Sequence, residues 1–230
     1  MPSAFTDLVA PSAVLWDMDG TLIDTEPYWM AAETELVEAH GGVWTPQDGL
    51  AMVGNPMSVC APILRARGVD LPDEEIADFL NSRVAAGVAS GIPWQQGAQE
   101  ILAALHDAGV PMALVTSSFR RLAEPFAAAV GLFDVVVSGD VVTRPKPDPE
   151  PYLTAARLLG VDVADCVAVE DSHAGVASAV ASGAHVVAVE VMQALAPRPG
   201  LSRVASLADL TVPDFARIAG GVVLDLRRAS

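Results

Sequence analysis

Two aspartates one residue apart, Asp17 and Asp19, end the apolar run Ala13–Trp16 in the stretch VLWDMDGTLIDTE. Three more polar clusters could share chemistry with them. Thr116, Ser117 and Ser118 follow PMALV, Lys146 sits in GDVVTRPKPDPEPY, and Glu170 and Asp171 precede SHAG. Carboxylates from two places in the chain, completed by water, make the hard oxygen site that Mg²⁺ accepts. Such a cation offsets the repulsion between an anionic nucleophile and an anionic phosphate, about 4 kcal/mol per unit pair at 4 Å in an effective dielectric of 20. The Thr116 hydroxyl, neighbouring backbone N–H groups and the Lys146 ammonium could hold phosphoryl oxygens. Asp17 is then the attacking carboxylate, giving an aspartyl-phosphate. Asp19 is the general acid for the leaving alcohol and afterwards the base for water.

Taken singly, each cluster has a plainer reading. A DxDG is an Asx turn, a TSS is a helix N-cap, a Glu-Asp pair complements a helix dipole, and a lysine is a solvated charge. Lys146 departs from its plain reading because it is the only lysine beside twelve arginines. That position retains a compact ammonium where the rest of the chain uses a planar guanidinium. Four ordinary explanations would have to coincide in the right order.

The elements that position these residues can be read from periodicity. Continuous apolar runs at Ala13–Trp16, Pro111–Val115, Val135–Ser138, Val167–Val169 and His185–Val189 read as strands covered on both faces. Helical patterns lie between them at Ala98–Ala108, Arg120–Val130, Glu150–Leu159 and Ala174–Ala181. Short strands joined by helices imply right-handed crossovers and a doubly wound parallel α/β sheet, a Rossmann-like core. In such a sheet ligands bind beyond the carboxyl ends of the strands, where all four polar clusters fall.

Between Asp24 and Ile92 there is no strand pattern. Glu26–Ala39 reads as a helix, and another follows Pro72-Asp73-Glu74, with Ile76, Phe79, Leu80 and Val84 at helical spacing. This is an all-helical insert, so the expected division is a core of 1–24 and 92–230 and a helical unit of 25–91. Glycines at its edges, in GTLIDTEP and ASGIP, could let it move. Residues 191–210 read as an irregular connection with weak helical character, and VVLDLRRAS as a possible last strand.

Composition narrows the class. Thirteen basic against 29 acidic side chains give a net charge of −16, which argues against a nucleic-acid or anionic-membrane partner. Screening over about 8 Å leaves a phosphate site open to local charge. No apolar run approaches the roughly 18 residues of a membrane span, and no positive n-region precedes Asp7. Cys60 and Cys166 stand far apart and read as reduced, partly buried thiols, so the expected compartment is the cytoplasm.

The motifs DMDGTLIDTE, LVTSS, RPKPDPEPY and VEDSHAGVASAVASG resemble, in order and from Val14 to about Val189, the four motifs of the haloacid dehalogenase-like hydrolase superfamily. The resemblance implies Asp17 as nucleophile and Asp19 as general acid/base. It implies Mg²⁺ held by the Asp17 carboxylate, the Asp19 main-chain carbonyl and Asp171, with Glu170 a ligand or its support. Thr116, Ser117 N–H and Lys146 are implied phosphoryl contacts, and the helical insert is the implied cap that selects substrate. The family's dehalogenases lack an acid at the Asp19 position and need no metal, so the resemblance points away from them. The related β-phosphoglucomutases carry a cap histidine where this chain has Trp29 and a cap arginine where it has Met57, and DTEPYW resembles phosphatases of hexose, deoxyhexose or hexitol phosphates.

The expected function is a Mg²⁺-dependent phosphatase of small phosphate monoesters, in a monomer or weak homodimer. The alternatives are a mutase-type isomerase and a non-catalytic binding member of the fold. Cap candidates for substrate contact are Glu26, Trp29 and Asn55, with Arg83 a further one that reads more readily as solvated. Trp29 could face a sugar ring or fill a helix–helix interface. His173 could orient the metal's surroundings or stand in solvent at a helix start.

Overall fold

The structure, a computed structural model, describes residues 9–55, 57–191, 195–196 and 198–227. Its centre is a six-stranded, all-parallel sheet in the order β3-β2-β1-β4-β5-β6. The strands are β1 (Ala13–Trp16), β2 (Met112–Val115), β3 (Val135–Val137), β4 (Cys166–Glu170), β5 (His185–Val189) and β6 (Leu201–Val204). The helices are α1 (Glu26–Ala39), α2 (Pro46–Met52), α3 (Met57–Ala66), α4 (Asp73–Ser90), α5 (Ala98–Asp107), α6 (Arg120–Val130), α7 (Glu150–Leu159), α8 (His173–Ser182) and α9 (Val212–Ala219). Alternate strand residues go to opposite layers because successive side chains point to opposite faces. Val14, Trp16, Met112, Leu114, Val167 and Val169 pack with Leu102, Phe126 and Phe215 of α5, α6 and α9. Ala13, Leu15, Ala113, Val115 and Ala168 pack with Tyr152, Ala155, Val176 and Ala179 of α7 and α8. With helices on both faces, the apolar strands lose their alternation of polar and apolar residues, which is why they read as continuous runs.

β1 lies between β2 and β4, and the chain winds from it first toward β3 and then toward β6. The strand order therefore reverses at β1/β4, where ligand crevices open in doubly wound sheets. Residues 26–90 form α1–α4, whose apolar faces meet in a separate cluster of Ala32, Leu36, Val37, Trp44, Met52, Cys60, Leu64, Ile76 and Leu80. The two chain passages joining this insert to the core run side by side. Ile23 bridges Trp94, and Asp24 N–H donates to the Pro93 carbonyl at 2.8 Å. The expected mobility of glycine edges thus meets a paired, hydrogen-bonded crossing.

Two expectations near the C-terminus need correction. The segment read as an irregular connection contains β6, which pairs with β5 from Val186↔Leu201 to Val189↔Val204. The pattern was missed because LSRV places a serine and an arginine within four buried positions. Arg203 is tolerated there because its guanidinium is paired with Glu190. The stretch 222–227 is not a strand; it contributes only the bridge Arg203↔Asp225, and residues 228–230 of that expected strand lie outside the described residues. Among the described residues, no helix is long and apolar enough to cross a membrane.

Candidate active site

The four polar clusters converge at the carboxyl edge of the sheet. Asp17 N–H continues the ladder by donating to Val169 O at 3.0 Å, which brings the end of β1 beside Glu170 and Asp171 at the end of β4. Ligand atoms of Asp17, Glu170 and Asp171, all buried, lie within 4.8 Å of one another. Two glycines make that approach possible. Gly20 has φ +83°, and a Cβ there would stand 2.1 Å from Asp171 Oδ2; a Cβ on Gly175 would meet the Glu170 carboxylate at 1.9–2.0 Å. No side chain larger than hydrogen fits either place.

Lys146 reaches this cluster from the β3–α7 connection and is only 4% exposed. Its Nζ donates to Asp17 Oδ1 at 2.7 Å, Glu170 Oε1 at 2.6 Å and Val115 O at 2.8 Å. All three ammonium protons are therefore used. Burial disfavours its charge, but Asp17 and Glu170 outweigh that and raise its pKa above the ordinary lysine value. Tyr152 adds a second donor to Glu170 Oε1 at 2.6 Å, and Thr21 Oγ1 donates to Asp17 Oδ2 at 3.0 Å and to Asp171 Oδ1 at 3.2 Å.

Three carboxylates against one ammonium still leave an excess of negative charge. Burial, and then Glu170, push Asp17 up to about 7 against the pull of Lys146. Burial, Asp17 and Glu170 raise Asp171 well above the usual carboxylate range. A buried, oxygen-only cluster with surplus negative charge fits a hard divalent cation.

The Asp19 side chain turns away from the cluster toward the insert. Its Oδ1 accepts from Thr25 Oγ1 at 2.6 Å and Trp29 Nε1 at 3.4 Å, and its Oδ2 from Ser118 Oγ at 2.7 Å and Thr116 Oγ1 at 3.1 Å. Thr25 stands before α1, yet its hydroxyl serves Asp19 and leaves the helix without a side-chain cap. Thr116 also accepts from Ser118 N–H at 2.9 Å, tightening the turn after β2. Ser117 is exposed at this turn.

Above these groups a cavity is lined by core residues including Asp17, Asp19, Thr116, Ser117, Lys146 and Asp171. From the insert come Glu26, Trp29, Asn55 and Met57. The cap candidates Glu26, Trp29 and Asn55 thus all reach the cavity. Trp29 does two jobs at once, packing against the apolar clusters of both core and insert. Asn55 donates to Ala51 O at 2.9 Å, so the turn reading also holds. Arg83 is not among the lining residues; it pairs with Glu35 at 2.6 Å and lies over the Phe79 ring. His173 is exposed at the start of α8 and does not line the cavity either.

Several participants escaped the sequence reading. Thr21, Thr25, Ser118 and Tyr152 sat inside the quoted motifs without an assigned role. Glu33 also lines the cavity, and burial, followed by the Glu26 charge, pushes its carboxyl up to about 8. The nearby Trp44 N–H acts in the opposite direction without completing a hydrogen bond. Burial likewise raises Glu26 to about 7, with Asp19 and Asp24 adding to it. A signal for Glu33 existed: it follows Glu26 by seven residues and Trp29 by four, so all three share one helix face.

Comparison with known proteins agrees with this architecture. Hexitol phosphatase A of Escherichia coli strain K12 is 36% identical over 179 residues, covering 76% of this chain and 81% of that protein. Fructose-1-phosphate phosphatase YqaB of the same organism is 30% identical over 185 residues, covering 79% of this chain and 97% of that protein. The crystal structure of CbbY from Rhodobacter sphaeroides in complex with phosphate superposes with a TM-score of 0.76 at 28% identity, covering 86% of this chain and 96% of that one. The family model of the haloacid dehalogenase-like hydrolases matches residues 11–183, and the chain belongs to that family.

Proposed function

We propose that the chain is a Mg²⁺-dependent phosphatase of small phosphate monoesters, with sugar phosphates as the substrate class. The observation that carries this reading is the buried Lys146 ammonium shared between Asp17 and Glu170, beside Asp171, at the base of a cavity. The phosphatase relatives, acting by name on a hexitol phosphate and on fructose 1-phosphate, support the substrate class.

In the proposed chemistry the Asp17 carboxylate attacks phosphorus, the alcohol leaves, and a water later releases phosphate from the aspartyl-phosphate. Asp19 supplies the proton to the departing alcohol and takes one from the water. Its two oxygens accept from the Thr25, Thr116 and Ser118 hydroxyls, which orient the carboxyl two residues along the chain from Asp17. Thr116 and Ser117 N–H hold the phosphoryl oxygens, Lys146 joins them by exchanging one of its present acceptors for a phosphoryl oxygen, and its charge orients Asp17 and opposes the rise of that carboxyl's pKa. Asp17 and Asp171, with the Asp19 main-chain carbonyl, would hold Mg²⁺, and Glu170 braces the set through Lys146 and Tyr152. When bound, the cation supplies charge neutralisation for the phosphate and the carboxylates around it. Residues 25–91 act as a cap on a core of 1–24 and 92–230, closing the cavity over the substrate and presenting Glu26, Trp29 and Asn55 to it.

The mutase alternative needs a cationic grip on a second phosphate. Among the described residues lining the cavity, Lys146 is the only basic one, and it is fully engaged at the base. The test is phosphate release with Mg²⁺ over hexose 6-phosphates, hexitol phosphates, 2-deoxyglucose 6-phosphate, phosphoglycolate and β-glucose 1-phosphate. Strong release from one or a few sugar phosphates is expected. Conversion of β-glucose 1-phosphate to glucose 6-phosphate without net release would replace this reading with the mutase.

A further inference from the structure

The helical insert brings two carboxyl groups to the cavity, Glu26 and Glu33 of α1, and no basic group among the described residues. Glu33 is 5% exposed, and its Oε2 has no hydrogen-bond partner. Cys60 and Leu80, members of the insert's apolar core, line the same cavity. Gly49 of α2 lies beside Glu33: a Cβ there would stand 3.6 Å from Glu33 Oε2, an ordinary contact distance. A nearby donor, Trp44 Nε1, is itself unpartnered.

Other acids of the same insert are satisfied. Glu35, two residues further along α1, is held by Arg83, and Asp48 by Arg67 and the Thr45 cap. A buried carboxyl without partners is costly, and a fold that needed only a filler would use an apolar side chain there. The donors it lacks can come from a ligand in the cavity.

Resting on the phosphatase reading, we propose that Glu33, together with Glu26, accepts hydrogen bonds from hydroxyl groups on the non-phosphate end of the substrate. The substrate is then the phosphate ester of a neutral, polyhydroxylated carbon chain, and esters with a second anionic group are rejected. Hydroxyls fit because each is a donor that a carboxyl can accept, and a site built to pair with them discriminates strongly against analogues lacking them. A second phosphate or carboxylate is disfavoured because it would be desolvated beside two acids with no counter-charge at that end.

The test measures kcat/KM for the full chain and for Glu33→Met and Glu33→Gln. The substrates are a hexitol 6-phosphate, gluconate 6-phosphate, glucosamine 6-phosphate and p-nitrophenyl phosphate. Wild type should prefer the hexitol ester to the gluconate ester by at least about 100-fold. Glu33→Met should lower kcat/KM for the hexitol ester by about 10- to 100-fold and shrink that preference. Hydrolysis of p-nitrophenyl phosphate, which offers no hydroxyls to the insert, should stay within about twofold. Glu33→Gln keeps the shape and an acceptor oxygen, so its loss should be smaller; it carries the test should the Met variant fold poorly.

Equal changes on every substrate, or an unmoved hexitol-to-gluconate ratio, would overturn the role of Glu33 while leaving the phosphatase standing. A clear preference for glucosamine 6-phosphate over the hexitol ester would overturn the neutral-polyol class. Phosphate release from no ester at all would refute the phosphatase reading and this inference with it.

Discussion

Lys146 shows how much one side chain can be asked to do. It occupies a buried position and donates hydrogen bonds to two carboxylates and a carbonyl. Removing one member of such a set leaves the others charged, desolvated and unpaired. Lys146→Met is therefore expected to cost about 3–5 kcal/mol of stability, read from denaturant unfolding, and to lower kcat by at least about 100-fold. Lys146→Arg should also fail, because a planar fork cannot point three protons at three acceptors around one nitrogen. Wild-type activity in the arginine variant would contradict the geometry described. At this scale the sequence was informative: the single lysine, the DxD spacing and the Glu-Asp pair all stood out by type. Glu33 did not, because a glutamate on an amphipathic helix is ordinary until its partners are seen to be absent.

At the scale of elements, the carboxylates approach one another because the chain ends β1 and opens α8 with glycines at Gly20 and Gly175. Gly175→Ala would drive a methyl group into the Glu170 carboxylate. Overpacking of that kind costs about 1–3 kcal/mol, and it should lower kcat in step because Glu170 positions Lys146. An alanine variant with unchanged melting temperature and activity would mean that the site is softer than the packing indicates. The strands and helices of the core were legible because each is a continuous apolar run or a 3.6-residue pattern. β6 was not, since Arg203 and Ser202 break the run and their partners, Glu190 and Leu224 N–H, are distant in sequence. The helical insert could be recognised as helical, but how α1 would be turned toward Asp19 was a tertiary fact that local pattern does not carry.

Across the whole molecule the unbalanced acids make stability depend on pH and on metal. Glu33 and Glu26 are shifted upward in the folded chain, to about 8 and about 7 from 4.5. Between those values and the unfolded one, the folded state binds more protons than the unfolded state. Stability contributed by this difference is present at low pH and falls as pH rises through the window. In EDTA the wild-type unfolding midpoint should therefore be lower at pH 8.5 than at pH 6, and Glu33→Gln should narrow the gap. An equal gap in both proteins would show that Glu33 titrates normally. Added Mg²⁺ should raise the melting temperature with a concentration dependence set by RT ln(1 + [L]/Kd). That rise should be much reduced in Asp171→Asn.

The central claim is that Asp17 attacks the phosphoryl group, and the most direct test is phosphate release by Asp17→Asn with Mg²⁺ on the best sugar phosphate found for wild type. The amide keeps the shape of the side chain but is a far weaker nucleophile, so kcat should fall by at least about 10³-fold while circular dichroism still reports a folded chain. Turnover within about tenfold of wild type would contradict the assignment, because no covalent intermediate could then depend on that carboxylate.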